Sequence, residues 1–203
     1  MNDVFEAARV IPVLILDDPS DAVPVADALV EGGLNVLEVT LRTEAAWAAL
    51  TAIIDRHPAA VVGVGTVLDG GQIKRAKRVG ASFAVSPGFS SVLSEMARSR
   101  DLFYLPGVAT ASEIMQARYA GHRFLKFFPA EASGGIPLLK SFASPFQDIV
   151  FFPTGGIGPA NSSDYLAQPN VACVGGSWVA SAADIRQNDW AAVTAKAKAT
   201  RFK

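Results

Sequence analysis

The sequence predicts an α/β fold, a single-domain (β/α)8 TIM barrel, and three observations predict it. Short runs of β-branched and aromatic residues recur about every 20–25 residues, each followed by a longer alanine-rich stretch of helical periodicity, which is the pattern of repeating βα units. Eight such runs can be counted, and eight units favour closure over an open, doubly wound sheet. The runs lack clean polar–apolar alternation, as strands do when helices cover both faces of a parallel sheet. An unclosed eight-stranded sheet is the structural alternative.

The strands are expected at 10–16, 36–41, 60–64, 83–85, 102–105, 124–128, 149–152 and 171–174. The first leads into Asp17-Asp18-Pro19, a helix entry by composition, and a helix over 19–31 ending at Gly32-Gly33. Helices over 43–56, 69–79, 90–99, 110–120 and 161–167 follow the later strands. Each begins near a Thr, Asp, Ser or Asn able to cap free N–H groups, and Gly80 and Gly121 stand just past two of the ends. No linker or low-complexity tract interrupts the series. At 203 residues and 50% hydrophobic content the chain can bury one substantial core, but it is short for this barrel, so loops must be compact.

Composition excludes several function classes. With 18 Lys and Arg against 19 Asp and Glu, and no basic block, nucleic acid is not an expected partner. The apolar runs are far shorter than a membrane span, and the segment from Met1 to Arg9 lacks the basic-then-apolar plan of a signal peptide, so a cytoplasmic protein is expected. One cysteine, Cys173, rules out an internal disulfide framework and reads as a small buried hydrophobe. That cysteine and two histidines, His57 and His122, leave a Cys/His zinc site almost no ligands.

The residue that stands out is Lys126, inside Arg123-Phe124-Leu125-Lys126-Phe127-Phe128-Pro129. An amine taken out of water favours its neutral, nucleophilic form, the form that makes a Schiff base with a carbonyl. On this heptapeptide alone, a strand-end lysine reaching to solvent is an equal reading. In Leu37-Glu38-Val39-Thr40-Leu41-Arg42-Thr43, alternation turns Glu38 and Thr40 away from their aliphatic neighbours. A carboxylate inside a barrel needs a cation or a proton to share. Gly63-Val64-Gly65-Thr66 offers glycines that permit close approach and a hydroxyl for an anion or carbonyl, or else a tight turn and helix entry; Ser86-Pro87-Gly88 and Pro106-Gly107 read as turns. Gly155-Gly156 and Gly175-Gly176-Ser177 follow the last two strands, where this architecture commonly holds a phosphate on backbone N–H groups. An amine, a carboxylate, Arg42 and Thr66 for an acid group, and a glycine cup make up the constellation. Glu131 is assigned a structural place in the loop after Lys126.

Five segments, Leu37 to Thr43, Val62 to Val67, Ser86 to Gly88, Phe127 to Glu131 and Pro153 to Ile157, in this order and with the lysine directly before Phe127-Phe128-Pro129, resemble the bacterial 2-keto-3-deoxy-6-phosphogluconate (KDPG) aldolases from about Arg9 to Trp178. The resemblance implies a metal-free, cofactor-free class I aldolase that yields pyruvate and glyceraldehyde 3-phosphate, a homotrimer, with 4-hydroxy-2-oxoglutarate as a frequent second substrate. It implies that Lys126 forms the Schiff base and Glu38 moves protons, while Arg42 and Thr66 hold the pyruvyl carboxylate. It further implies that Thr154 and Pro87 line the site, that Gly155, Gly156, Gly176 and Ser177 bind phosphate, and that Arg9 reaches the substrate from strand one. The chain departs from the pattern at Asp69-Gly70-Gly71 and at Ala180, both away from this chemistry. Alternatives on the same lysine are a 2-dehydro-3-deoxy-6-phosphogalactonate or a 4-hydroxy-2-oxoglutarate aldolase; a non-catalytic phosphosugar-binding barrel is the reading from another class.

Overall fold

The computed structural model describes residues 1–200. In chain order its elements are α1 (Asn2–Ala8), β1 (Val10–Leu14), α2 (Ala22–Glu31), β2 (Val36–Thr40), α3 (Ala46–Arg56), β3 (Val61–Gly65), α4 (Gly70–Arg78), β4 (Phe83–Val85), α5 (Ser91–Arg98), β5 (Phe103–Leu105) and β6 (Gly107–Val108). They continue as α6 (Ala111–Tyr119), β7 (Phe124–Phe127), α7 (Gly135–Ala143), β8 (Val150–Pro153), α8 (Ser162–Leu166), β9 (Val174–Gly176), α9 (Ala182–Arg186) and α10 (Trp190–Ala199). Three of the five polar residues expected to cap helix starts do so, since Asp69, Ser90 and Thr110 accept bonds from the N–H groups of Gln72, Leu93 and Glu113. Thr43 instead precedes α3 and donates to Leu16 O, and Asn161 stands at the start of α8 without a side-chain capping bond. Asp18 caps the short turn that leads into α2.

All the paired strands run parallel, in a curled α/β arrangement, but they fall into two sheets instead of the single eight-stranded one predicted. One has the order β5-β4-β3-β2-β1-β9, the other β6-β7-β8. The first break is Pro106, which separates β5 from β6 and has no N–H to offer a ladder. The second lies between β8 and β9, where isolated bridges at Phe151–Val171 and Thr154–Gly175 replace a continuous pairing. The last strand therefore starts at Val174, three residues later than the sequence suggests, and includes Gly175 and Gly176. Helices α1, α7, α9 and α10 have no counterpart among the sequence-predicted elements.

Two cores follow from the period-two alternation of the strands. Leu37 and Val39 of β2, and Leu125 and Phe127 of β7, pack outward against the helices. Ile11, Val36, Phe83, Val85, Leu105, Phe124 and Phe152, from β1, β2, β4, β5, β7 and β8, meet in a second cluster with Cys173. Phe5 of α1 plugs that cluster at the amino ends of the strands, edge-on to Phe83, Phe124 and Phe152. Two residues further along the same inward faces stand Glu38, Lys126 and Thr154, so alternation alone carries these polar side chains to the carboxyl ends of the strands. Cys173 is fully buried, and burial raises its thiol well above the ordinary range. Phe142 and Phe146 are buried in the helix layer, and Trp47 packs on the core under Arg75, which accounts for these three residues as packing.

Candidate active site

Lys126 is not a lone amine. Its Nζ lies 3.3 Å from Glu38 Oε1, with 3% and 0% of the two side chains exposed. The two residues are 88 apart in sequence and meet across the interior of the fold. The ammonium also sits 5.1 Å from the centre of the Phe128 ring, whose face is attractive to a cation. Glu38 Oε2 makes no hydrogen bond within the described residues, so the carboxylate keeps one oxygen free to exchange protons with a bound molecule. Gly65 of β3 makes room for it: a Cβ there would collide with Oε1, and it would stand 2.7 Å from Cδ. Of the two readings the sequence leaves open for Gly65, close approach and a tight turn, the structure shows close approach of a carboxylate.

Arg42 lies just past β2, and its Nε donates to Thr66 Oγ1 at 3.1 Å. Thr66 itself sits at φ 61°, the left-handed region, which is unfavourable for a β-branched residue by about 1–3 kcal/mol. Its flanks hold it there, through Leu41 N to Gly65 O at 2.8 Å and Val67 N to Val85 O at 3.0 Å. A glycine would fill that conformation without strain, so the hydroxyl is the feature the position retains.

Thr154 continues the inward face of β8; it is buried, and its Oγ1 has no partner among the described residues. Beyond it, Gly155 and Gly156 both have positive φ, 103° and 78°, a turn that other residues reach only with strain. The N–H groups of Gly156, Ile157 and Ser177 donate to nothing within the described residues. These three residues line a pocket of about 130 Å³ together with Arg42, Phe128, Thr154, Gly155 and Gly176. Backbone N–H groups without protein partners, beside a guanidinium, are the kind of lining that can hold an anion.

Pro87 lies in the loop after β4, its carbonyl packed on Gly107, the residue that pairs with Lys126. Ser86 fixes that loop through Oγ bonds to Gly88 O and Tyr104 Oη, each 2.6 Å. Burial pushes the Tyr104 hydroxyl up to about 12, so it remains protonated and able to donate.

Arg9 is a correction. It precedes β1, at the amino end, and its carbonyl accepts from Val174 N at the start of β9. Four steps along the strand separate it from Val13, where the pocket begins, a distance of roughly 13 Å, because a strand rises about 3.3 Å per residue. The structure does not bring Arg9 to the other candidates. It instead adds Phe128, Val13, Ile15 and Ile157 to the pocket. The alternation Ile11, Val13, Ile15 was the available signal for two of them, and it leaves Ile15 38% exposed at the mouth. Among the described residues no group of three or more His, Cys, Asp or Glu side chains is placed to hold a metal ion.

A buried lysine–carboxylate pair at the carboxyl ends of a curled parallel sheet, next to an anion pocket, defines a class of protein: a lyase that works through a lysine Schiff base. Comparison with known proteins gives the particular one. The family model "KDPG and KHG aldolase" matches residues 1–196. The 2-dehydro-3-deoxy-phosphogluconate aldolase of Pseudomonas aeruginosa is 48% identical over 193 residues, covering 95% of this chain and 88% of that one. A KDPG aldolase from Legionella pneumophila, solved with pyruvate captured as a covalent carbinolamine, superposes with a TM-score of 0.95 at 43% identity, covering 98% of this chain and 96% of its own. The aldolase of Zymomonas mobilis with 3-phosphoglycerate gives a TM-score of 0.94 at 48% identity, covering 100% and 95%. This chain belongs to the KDPG and KHG aldolase family.

Proposed function

We infer that the protein is a class I aldolase that cleaves 2-keto-3-deoxy-6-phosphogluconate to pyruvate and glyceraldehyde 3-phosphate. The observation that carries this reading is the buried pair of Lys126 and Glu38, 3.3 Å apart. Lys126 Nζ, having passed its proton to Glu38, attacks C2 of the keto acid. Glu38 then returns a proton to the departing hydroxyl as the carbinolamine loses water. The iminium so formed accepts the electrons of the C3–C4 bond while Glu38 takes the proton of the C4 hydroxyl, leaving a neutral enamine and the free aldehyde. Protonation at C3 and hydrolysis release pyruvate and regenerate the amine. Arg42 and Thr66 hold the carboxylate of the substrate, a task suited to the guanidinium fork. Thr154 stands beside the iminium, Pro87 closes one side, and Gly155, Gly156, Gly176 and Ser177 take the phosphate. The Legionella carbinolamine and the phosphorylated ligand of the Zymomonas enzyme support the two ends of this assignment.

In this reading the two sheets are parts of one closed (β/α)8 barrel and one domain. Support comes from β5 and β6, which Pro106 alone separates, from the bridges between the β8 and β9 regions, and from the shared inner cluster. The protein works in the cytoplasm as a homotrimer; among the described residues no helix is long and apolar enough to cross a membrane. Leu68, Val92, Met115 and Tyr119 are large apolar side chains at 62% exposure or more, available to a subunit contact.

Borohydride added with pyruvate tests the chemistry. A reduced pyruvyl adduct located on Lys126 by peptide mass is the expected result. An intact protein that yields no adduct, or an adduct on another lysine, would remove the Schiff-base assignment. Pyruvate release measured side by side with the gluconate-derived, galactonate-derived and unphosphorylated substrates then ranks the activities.

A further inference from the structure

Behind the glycine cup lies a contact that the reaction itself does not use. Glu131, in the loop after β7, packs its stem directly on Gly156: a Cβ at Gly156 would stand 2.6 Å from Glu131 Cγ and 2.7 Å from its Cβ. The Glu131 carboxylate accepts the hydroxyl of Tyr165, a fully buried ring on α8. Gly135 closes over the pair so tightly that a Cβ there would lie 3.2 Å from both Glu131 Oε1 and Tyr165 Oη. Glu131 N also donates to Gly155 O at 3.1 Å. On the other side Asn161, at the start of α8, bonds Gly156 O at 3.1 Å and Gly158 N at 2.9 Å. The loop that presents N–H groups to the pocket is thus gripped between the segment following Lys126 and the helix following the loop. A carboxylate next to an anion pocket works against anion binding. Its presence there calls for a structural return. A buried tyrosine hydroxyl needs an acceptor, and this one finds it in a side chain from a different loop.

We propose that Glu131 and Tyr165 form a strut that sets the Gly155-Gly156 loop at the place where it accepts the substrate phosphate, which makes them positioning residues for phosphate selectivity. The inference rests on the phosphate-cup reading above. Burial, and after it the bond to Glu131, raise the Tyr165 hydroxyl, so the donor stays protonated throughout the working pH range. Neither residue lines the pocket, so loss of the strut acts on phosphate affinity and leaves chemistry at Lys126 alone.

The test is steady-state kinetics of Tyr165→Phe, Glu131→Ala and Glu131→Gln with the phosphorylated keto acid and with 4-hydroxy-2-oxoglutarate, plus inhibition by inorganic phosphate. In Tyr165→Phe and Glu131→Ala, KM for the phosphorylated substrate should rise about tenfold, the size of one hydrogen bond to a charged group, with phosphate inhibition weakened in parallel. Turnover of both substrates and KM for 4-hydroxy-2-oxoglutarate should stay within about twofold. Glu131→Gln keeps an acceptor oxygen for Tyr165 and should restore most of the affinity. Equal losses on both substrates, or no change in KM, overturn the strut. Should Tyr165→Phe fail to fold, the Glu131 variants decide alone, since that residue is exposed. A wild-type protein that neither prefers the phosphorylated substrate nor responds to phosphate overturns the cup itself, and the strut with it.

Discussion

Gly65→Ala separates the position of Glu38 from its mere presence. The added Cβ would collide with Glu38 Oε1 and lie 2.7 Å from Cδ and 2.8 Å from Cγ. Carbon atoms rest about 3.5 Å or more apart, so the carboxylate must retreat by roughly 0.8 Å. What moves is the end of a side chain with three torsions, so the fold yields at modest cost, about 1–3 kcal/mol for overpacking at a buried strand. At about 2–4 °C per kcal/mol for a chain of this size, the melting temperature should drop by roughly 2–12 °C. The chemistry is less forgiving. The retreating oxygen is the one 3.3 Å from Lys126 Nζ, and displacements near 1 Å in a proton-transfer pair cost about a hundredfold. Pyruvate release coupled to lactate dehydrogenase should therefore show kcat down by about 10²-fold, approaching the loss of Glu38→Gln, in which acid–base catalysis worth about 10²–10⁴ is removed. Thermal melting of the same preparation checks that the variant is folded. A folded Gly65→Ala protein with kcat within about twofold of wild type would refute the claim that proton transfer depends on where β3 lets the carboxylate lie.

Two further expectations concern pH and assembly. His122 is partly buried, its Nε2 2.7 Å from Ser94 Oγ, and burial first, then Arg98 and Arg123, depress it from 6.5 to about 4. A depressed histidine means the unfolded chain binds the extra proton, so its contribution is full above pH 6.5 and is lost as pH falls through about 4. The upper bound is about 3.4 kcal/mol, which the ring's partial exposure to solvent reduces to about 1–2 kcal/mol. Melting temperatures followed from pH 7 downward should fall less in His122→Gln than in wild type; parallel slopes would show that His122 is not depressed. For assembly, sedimentation should give three times the chain mass, and replacing exposed Val92, Met115 and Tyr119 with polar residues together should shift it downward; a monomeric wild type would discard the trimer.

The parts of this fold that were legible in the sequence are those in which local chemistry and tertiary demand agree. Capping residues such as Asp69, Ser90 and Thr110 act within their own helix, and their pattern is readable without a structure. The inward turn of Glu38 was likewise legible, because alternation along one strand decides it. What the sequence hid depends on partners far away. From its own heptapeptide Lys126 is an even choice between a buried and a solvent-reaching amine, and only the constellation gives it Glu38, because the two are 88 residues apart; Gly65 is equally a close-approach or a turn residue, because the atom it accommodates belongs to another strand. Arg9 was misplaced for a related reason: residue type suggested an anion contact, while the direction of β1 puts it at the opposite end of the fold. Pro106 marks the limit of counting strands, since a residue without an N–H divides a ladder that composition alone leaves whole. Thr66 carries the same point into the site. Nothing in the string Gly65-Thr66-Val67 announces a left-handed threonine, and the conformation exists because ladders to Leu41 and Val85 on either side impose it. Strain of this kind persists where the surroundings over-determine it. The strained residue is the one bonded to Arg42, so the cost falls at the carboxyl ends of the strands, beside the pocket that Arg42 lines.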